Sequence, residues 1–251
     1  MPTAIISDIH ANLEALTTVL DDIDRRGITR ILCLGDVVGY GPNPRDCIDL
    51  IKRRCRWTLM GNHDFAVLYE PTSFNLSAES AVFWTRQELE SEPDSEQRRK
   101  RWEFLGNLRI GEHFDGALCV HASPRKPISE YIFPDDVATA TTKMAQIFER
   151  CDARCFVGHT HVSGVFTDEP NFYPAADLNS VYDFRDDEKC IINPGSVGQP
   201  RDRDPRSSYV IVTDHQVEFV RLEYDVQAVV AKVNGIAELN DFLGARLLEG
   251  R

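Results

Sequence analysis

Short apolar runs alternate with amphipathic segments through the first third of the chain, and this alternation limits the possible folds more than any other feature. The runs TAIISD, RILCLG and WTLMGNHD are apolar at consecutive positions, which is typical of strands buried on both faces. Between the first two, apolar residues recur at helical spacing from Leu13 to Ile23, and Gly27 ends the predicted helix. A second helix is predicted over NPRDCIDLIKRR, with Pro44 near its start. The sequence therefore predicts an α/β fold with helices packed on sheets.

The middle of the chain has a different pattern. Residues 77–89 predict a helix, a polar and charged bridge follows, and a short apolar segment runs through Leu105 and Leu108. We interpret residues 75–112, approximately, as a small helical insertion or cap on a single domain spanning 1–251. Further on, SYVIVTD and QVEFVRLEY predict an antiparallel hairpin, and two short helices are expected to close the chain.

The charge balance bears on possible partners. The 251 residues include 40 acidic and 28 basic side chains, for a formal net charge of −12. Proteins that bind nucleic acid through its phosphates usually carry the opposite sign, so nucleic acid is not an expected partner. The one basic run, Arg98–Arg101, follows an acidic stretch, and we interpret it as the solvated face of a helix.

Apolar patterning and cysteine usage indicate the cellular compartment. No apolar run approaches the ~20 residues of a membrane span, so no membrane partner is expected. The N-terminal MPTAIISD enters a strand pattern directly, without a basic segment or cleavage site, which predicts a cytoplasmic protein. The seven scattered cysteines lack the spacing of a zinc knuckle and are expected to be reduced and structural.

Polar side chains of the types that bind metals follow five of the predicted strands. They are Asp8 and His10, Asp36, Asn62 with His63 and Asp64, His121, and His159 with His161. Because the carboxyl ends of strands in α/β sheets meet at a ligand-binding crevice, these side chains should converge. Aspartate, asparagine and neutral imidazole suit divalent ions such as Mn²⁺, Fe²⁺ and Zn²⁺. The sequence therefore predicts a metal site, and Asp36 is the natural bridge if there are two ions.

The motifs DIH, GD, GNHD, VHASP and GHTH resemble, in order and approximate spacing, those of the calcineurin-like metallophosphoesterase superfamily. The stretches SDIHANLEAL and NPGSVGQPRD are similar to its small bacterial and archaeal phosphoesterase branch, with its phosphodiesterases and diadenosine tetraphosphatase-like proteins. The resemblance thus covers nearly the whole chain. It implies a four-layer αββα sandwich, in which two mixed β-sheets pack together and are flanked by helices.

The resemblance further implies a phosphoric ester hydrolase with two divalent metal ions, Mn or Fe being favoured over Zn. One ion would be held by Asp8, His10, Asp36 and His161, and the other by Asp36, Asn62, His121 and His159. A hydroxide bridging the ions would attack phosphorus in line. His63 would act with Asp36 in catalysis, as the residue that assists the leaving group. An orienting role is the alternative for His63.

The chain departs from the protein-phosphatase branch of the family shortly after Asp36. That branch has an aspartate that orients the catalytic histidine and an arginine that binds phosphate, where this chain has Gly39 and Tyr40. Asp64 is a candidate to orient His63 instead. The candidate substrate-binding residues are Tyr40, Asn12, Arg125 and Arg201, with Arg203 as a further candidate for the missing phosphate contact. Salt-bridged surface residues are the alternative interpretation of these arginines.

We therefore expect a dinuclear phosphohydrolase acting on a small phosphoester, either a phosphodiester or a dinucleoside polyphosphate. One alternative is a monoesterase similar to protein Ser/Thr phosphatases. Another, from a different class, is a non-catalytic scaffold similar to the retromer subunit of the superfamily, which lacks the catalytic histidine. The presence of His63 with all seven expected ligands disfavours the scaffold, and the net charge disfavours a nuclease of the DNA-repair branch. The sequence identifies no oligomeric partner.

Overall fold

Twelve strands form two six-stranded sheets in the computed structural model, which describes residues 1–251. The spatial order in the first sheet is β3 (Trp57–Thr58), β2 (Arg30–Cys33), β1 (Thr3–Ile6), β11 (Ser207–Val212), β12 (Gln216–Leu222) and β9 (Val181–Asp183). Strands β1, β2 and β3 are parallel, whereas β11, β12 and β9 pair antiparallel. In this mixed sheet Ile5 lies opposite Leu32 on one side and Val210 on the other. The predicted hairpin is formed by β11 and β12.

The second sheet is also mixed. Its spatial order is β4 (Gly111–Phe114), β5 (Ala117–Val120), β6 (Arg154–Phe156), β10 (Cys190–Asn193), β7 (Gly164–Thr167) and β8 (Asn171–Pro174). Strands β5, β6 and β10 are parallel, and the outer pairs are antiparallel. Ile191 in β10 is flanked by Cys155 and Phe166.

Nine α-helices and two 3₁₀ turns make up the rest of the regular structure. They are α1 (Leu13–Arg25), α2 (Pro44–Arg54), α3 (Asn62–Leu68), α4 (Leu76–Glu90), α5 (Ser95–Gly106), α6 (Asp136–Thr139), α7 (Thr141–Phe148), α8 (Val226–Asn234), α9 (Phe242–Ala245), and the 3₁₀ turns Ala175–Leu178 and Arg246–Glu249. The helix predicted from the spacing of Leu13 to Ile23 is α1, and α2 begins at Pro44 as expected.

The alternation of side chains along β1 separates two buried layers. Ile5 belongs to a cluster of 17 buried residues that also contains Phe156 of β6 and Val210 of β11, so this layer lies between the sheets. Ala4 and Ile6 point the other way and belong to a cluster of 27 buried residues shared with the helices of the first sheet. Because both faces of this strand are covered, its side chains are apolar on both faces, as the continuous apolar run indicated.

A third cluster covers the outer face of the second sheet. It joins Met144 and Ile147 of α7 to Phe166 of β7 and Ile191 of β10. The order of layers is therefore helices, sheet, sheet, helices. This confirms the predicted four-layer αββα sandwich of two mixed sheets.

Three strands were not predicted, and each lies at the edge of a sheet. The edge strands β4, β8 and β9 have the sequences GEHF, NFYP and VYD, and each contains exposed residues. An edge strand needs no continuous apolar run, because it has a neighbour on one side only. The pattern GNHD likewise gave no indication of α3, a helix of seven residues that begins at Asn62.

The polar bridge expected after residue 89 is largely helical. Helix α5 begins after Asp94, whose side chain accepts the backbone N–H of Glu96 at 2.9 Å. Arg99 lies on the solvated face and pairs with Glu96, as predicted for the basic run. Arg101 departs from that prediction, because it is buried and pairs with Asp49 at 2.7 Å.

Helix α4 packs against the C-terminal helices. Ala81 and Trp84 on α4 share a buried cluster with Val229 and Val233 on α8. The assignment of 75–112 as an insertion in a single domain stays a prediction. All seven cysteines are free thiols, and all but Cys55 are buried. The structure contains no helix that is both long enough and apolar enough to span a membrane.

Candidate metal centre

The loops at the carboxyl ends of strands from both sheets meet at one place. The His10 N–H donates to the Asp36 carbonyl at 2.9 Å, which joins the loops after β1 and β2. The His159 N–H donates to the Asp8 carboxylate at 3.0 Å, which joins the two sheets. All seven residues predicted as ligands lie here. Six of them are at most 3% exposed, namely Asp8, His10, Asp36, His121, His159 and His161, and Asn62 is partly exposed.

Five of these residues have left-handed backbone conformations. The φ angles are 55° at Asp8, 47° at His10, 52° at Asp36, 65° at His159 and 62° at His161. A left-handed conformation costs about 1–2 kcal/mol for a residue with a Cβ atom. Such conformations persist only where the surrounding contacts hold them, and they concentrate at functional sites.

Three of the histidines are oriented by backbone carbonyl groups. Their Nδ1 atoms lie 3.2 Å from the Val38 oxygen for His10, 3.0 Å from the Leu34 oxygen for His121, and 2.5 Å from the Gln199 oxygen for His161. Because a carbonyl oxygen only accepts, each Nδ1 carries a hydrogen. The Nε2 atom of each ring is thereby left to bind a proton or a cation, the arrangement found around metal-ligating histidines.

The inward-facing nitrogen atoms fit a bound cation. The Nε2 atoms of His10 and His161 are 3.1 Å apart. Because both rings are neutral and carry their hydrogen on Nδ1, the lone pairs of the two Nε2 atoms face each other. The Nε2 atom of His159 is buried and has no hydrogen-bond partner. Unpaired buried polar atoms of this kind are costly, and a metal ion between them removes the cost.

The donor atoms fall into two groups that share Asp36. Asp8, His10, Asp36 and His161 form one group, and Asp36, His121 and His159 form the other, with the donor atoms of each group within 4.8 Å of one another. The Asp36 Oδ2 atom lies 3.7 Å from His10 Nε2 and 3.4 Å from His121 Nε2. The Asn62 Oδ1 atom is 3.3 Å from His121 Nε2, beside the second group. These residues are brought together as the sequence predicted, and their role as ligands stays a prediction.

The electrostatics of the two groups favour cations. Burial opposes ionisation of Asp8 and Asp36, but the adjacent histidines outweigh it and keep the pKa of both carboxyl groups below the usual range. Burial lowers the pKa of His159 to about 3, so its ring is neutral at pH 7. For His121 the effect of burial is outweighed by Asp36, which raises the pKa of the ring to about 9. A divalent ion would take the place of this proton.

His63 lies beside the two groups, in the first turn of α3. Its backbone N–H donates to Asp36 Oδ1 at 2.8 Å, and its ring centre lies 4.3 Å from that of Tyr40 and 4.7 Å from that of Phe74. Its Nδ1 atom is buried and has no partner. Burial lowers the pKa of His63 to about 4. The negative charge of Asp36 opposes this shift, and the positive charge of Arg201 adds to it.

Gly39 makes room for the His63 ring. A Cβ atom at residue 39 would lie 2.4 Å from His63 Nδ1, and the residue has a φ of +89°. The aspartate that the protein-phosphatase branch has at this position therefore could not fit here without moving the ring. The His63 ring can take its present orientation because residue 39 has no side chain.

Asp64 does not orient His63, contrary to the alternative raised from the sequence. Its carboxylate accepts three backbone N–H groups, from Val37 at 2.9 Å, Val38 at 3.2 Å and Gly61 at 3.1 Å. It is fully buried. Asp64 thus ties the loop after β2 to the start of α3, and so fixes the backbone that follows Asp36.

Two of the candidate substrate-binding residues are engaged elsewhere. Asn12 is buried, caps α1 by accepting the Ala15 N–H at 3.1 Å, and donates to the Gly198 carbonyl at 2.9 Å. Arg125 pairs with Glu130 at 2.6 Å and also donates to the Gln146 side chain. These contacts occupy both side chains, and their role in substrate binding stays a prediction.

The other two candidates lie beside the centre. The Tyr40 ring is 4.8 Å from the His10 ring, and the Arg201 guanidinium carbon is 5.8 Å from the centre of the Tyr40 ring. The sequence did not single out Arg246, which lines a neighbouring cavity together with Tyr40. Nothing in the sequence around Arg246 distinguishes it, because its proximity to Tyr40 depends on how the C-terminal helices pack.

Two adjoining cavities open next to His63. The metal-facing cavity, of about 150 Å³, is lined among others by Asn62, His63 and His159. The outer cavity, of about 540 Å³, is lined among others by Leu76, Phe242 and Arg246. Tyr40, Phe74 and Asn75 line both. The two cavities are therefore neighbours that share these three side chains.

Comparison with known proteins agrees with this architecture. Residues 1–216 match the profile of the calcineurin-like phosphoesterase superfamily domain. The chain is 40% identical over 257 aligned residues to the uncharacterized protein MJ0912 of Methanocaldococcus jannaschii, covering 99% of this chain and 98% of that protein. A metallophosphoesterase from Sphaerobacter thermophilus is 36% identical and has a TM-score of 0.81, with 100% of both chains covered. The hypothetical protein PH1004 from Pyrococcus horikoshii OT3 shares the fold, with a TM-score of 0.76 at 19% identity and coverage of 100% and 98%.

The role of Asp64 in fixing the loops gives a first prediction. In Asp64→Asn the amide NH₂ group replaces one acceptor and faces a backbone N–H, so the protein should lose about 1–3 kcal/mol of unfolding free energy. Urea unfolding in EDTA measures this without a contribution from metal. Asp21→Asn, an exposed change on α1, should stay within about 0.5 kcal/mol of the wild type. Equal stability of the two variants would show that Asp64 does not hold the loops.

Proposed function

Since the chain belongs to the calcineurin-like phosphoesterase superfamily and is a metallophosphoesterase, we propose that it is a dinuclear enzyme that hydrolyses phosphodiesters or dinucleoside polyphosphates. The observation that carries the proposal is the pair of buried donor groups that share the Asp36 carboxylate. Seven donor residues exceed the four to six ligands that one such ion usually takes. Two ions with one bridging carboxylate account for the whole set.

Each donor residue has a distinct part in this proposal. One ion, Mn or Fe in preference to Zn, would be held by Asp8, His10, Asp36 and His161, and the second by Asp36, Asn62, His121 and His159. When bound, such ions supply a nucleophile at neutral pH and neutralise charge on a phosphate. Asp36 Oδ1 is fixed by the His63 N–H, which leaves Oδ2 directed between His10 and His121. This is the position that a bridging carboxylate requires.

His63 is the proposed catalytic residue, and its role would be to assist the leaving group. Its buried, unpartnered Nδ1 atom and its place in the lining of the metal-facing cavity support this role. A phosphate anion in that cavity favours the protonated ring, from which a proton passes to the leaving oxygen. The flanking rings of Tyr40 and Phe74 restrict the orientation of His63 and help to exclude water.

The residues after Asp36 bear on the class of substrate. A phosphomonoester carries one more negative charge than a diester, and an arginine fork binds such a dianion well. Gly39 and Tyr40 offer no such fork, and Arg125 is engaged by Glu130. The Tyr40 ring instead offers a flat apolar face and a polar tip, which suit a nucleoside or aryl group. These features support a diester or a dinucleoside polyphosphate.

A monoesterase similar to protein phosphatases is the second candidate. The observation in its favour is Arg201, whose guanidinium has no carboxylate partner and lies over the Tyr40 ring. Its charge acts on His63, as the lowered pKa of that ring indicates. Arg201 lies next to the histidines, since its backbone N–H donates to the His161 carbonyl at 3.2 Å. Its guanidinium, however, is already held by the Gln199 side chain, and for that reason we favour the diesterase.

The bridging role of Asp36 predicts a change in metal content. After loading with Mn²⁺ and dialysis, the wild type should retain two ions per chain, and Asp36→Asn should lose affinity at both sites because the shared charge is removed. Elemental analysis by mass spectrometry measures the number of manganese ions per protein chain. Asp136→Asn, which changes a carboxylate in α6, should keep two ions. A variant at Asp36 that loses only one ion would mean that the carboxylate does not bridge.

The proposed role of His63 predicts a loss of turnover without a loss of metal. His63→Ala should lower kcat by ~10²-fold or more, the scale of lost general acid assistance. Substrates whose leaving groups are very acidic should be affected least, since they need no proton. His113→Ala, an exposed histidine on β4, should behave like the wild type. An equal loss for all leaving groups would point to an orienting role for His63 instead.

The substrate preference is tested by direct comparison. With Mn²⁺ present, kcat/KM for an aryl phosphodiester or diadenosine tetraphosphate should exceed that for a phosphopeptide by ~10-fold or more, about 1.4 kcal/mol of transition-state preference. Equal rates would favour the monoesterase. In that case Arg201→Ala should selectively lose the phosphopeptide activity, whereas Arg125→Ala should retain it.

A further inference from the structure

Two arginines near the Tyr40 ring have no aspartate or glutamate partner. The Arg201 guanidinium lies over one face of the Tyr40 ring, 5.8 Å from its centre, and Arg246 lines the outer cavity with the same ring. Burial, and then the charge of Arg201, lower the pKa of Arg246 to about 10. Both arginines thus lie around the same tyrosine ring, and no aspartate or glutamate side chain pairs with either of them.

Acidic side chains are plentiful in this chain, so the lack of partners is unusual. There are 40 acidic and 28 basic residues. The nearest carboxylates along the chain are already taken, since Asp202 pairs with Arg221 and Asp204 pairs with Arg206. Like charges that are partly withdrawn from water and unpaired are unfavourable, and an anion between them relieves the repulsion.

Both arginines keep donors that no protein group uses. Arg201 donates through Nε and Nη2 to the Gln199 side-chain oxygen, at 3.3 and 2.7 Å, which fixes the guanidinium and leaves Nη1 without a partner. Arg246 donates through Nε to the main-chain oxygen of Arg251, which leaves both Nη atoms. Three N–H-bearing nitrogen atoms are thus available, and guanidinium groups bind phosphate oxygen atoms through such pairs.

The outer cavity has the size and lining of a small-molecule site. Its volume of about 540 Å³ lies within the range of ~300–1,000 Å³ that ligand pockets occupy. Its walls are apolar, with Leu76 82% exposed and Phe242 57% exposed. Tyr40 and Phe74 also line the cavity beside His63. Apolar walls beside unpaired cations suit a ligand that has both a flat apolar part and a negative charge.

We propose that Arg201 and Arg246 bind a second, non-scissile phosphate of the substrate, while Tyr40, Phe74 and Phe242 contact the aromatic group attached to it. This inference rests on the proposed function, because the scissile phosphate is placed at the metal centre. Arg246 lines the outer cavity and not the metal-facing one, so it contacts a neighbouring phosphate and leaves the scissile one to the metals. This second phosphate site selects substrates with a chain of phosphates, such as dinucleoside polyphosphates, over simple diesters.

Binding to the metal-free protein tests the second site separately from catalysis. In EDTA, isothermal titration of the wild type with ADP should show binding that weakens as KCl is added, whereas adenosine should bind more weakly and with no salt dependence. Arg246→Met and Arg201→Met should each lower ADP affinity by ~10-fold or more, through loss of charge-assisted hydrogen bonds. Arg53→Met removes an exposed arginine on α2 and should leave ADP affinity unchanged. Wild-type protein that does not bind ADP, or equal affinity in the wild type and both variants, would overturn the inference.

A rate comparison in the Mn²⁺-loaded protein tests the same site during turnover. Arg246→Met should lower kcat/KM for diadenosine tetraphosphate by ~10-fold or more and leave that for bis(p-nitrophenyl) phosphate unchanged, since only the first has further phosphates. If both substrates are affected equally, Arg246 supports the metal centre and the inference is wrong. Protein that binds ADP as expected but hydrolyses neither substrate would contradict the proposed function and leave the second phosphate site standing.

Discussion

The structure depends on a concentration of electron lone pairs and negative charge that the protein cannot neutralise by itself. Two ionised carboxylates and four imidazole rings converge where the loops of the two sheets meet, nearly out of contact with water. His10 and His161 direct Nε2 atoms at each other, and backbone carbonyls prevent either ring from reversing its polarity. Five residues accept left-handed backbone conformations to reach this arrangement. Strain and unpaired ligand atoms of this kind would be relieved by bound cations.

The surrounding fold is arranged to hold that cluster. Parallel strands from both sheets deliver the loops, and the apolar layer between the sheets fixes their separation. Glycines allow the loops to approach closely, since a Cβ at Gly61 would lie 2.0 Å from Asp36 Oδ1 and one at Gly39 would meet the His63 ring. Asp64 then accepts the N–H groups of Val37 and Val38, which follow Asp36, and that of Gly61. The site is thus held by many contacts on the side of the donor groups, while the outer cavity is lined by exposed apolar side chains and by Arg246.

Much of this could be predicted from the sequence, because buried strands and metal ligands both leave strong local patterns. The apolar runs identified the central strands, and the polar residues at their ends identified the residues that converge. Edge strands such as β4 and β8, and the short helix α3, lack a continuous pattern and were missed. Side-chain roles that depend on contacts with residues far along the chain could not be predicted from the sequence either. Asn12 caps a helix, Arg125 is held by Glu130, and Arg246 reaches the site through helix packing.

The most direct test of the two-metal centre is the position of the ions themselves. Crystals of the Mn²⁺-loaded protein, measured at the manganese absorption edge, should give two anomalous peaks ~3.5–4 Å apart on either side of the Asp36 carboxylate, the spacing typical of two-metal phosphoesterases. One peak should contact Asp8, His10 and His161, and the other should contact Asn62, His121 and His159. A single peak at full occupancy, or two peaks without Asp36 between them, would contradict the account.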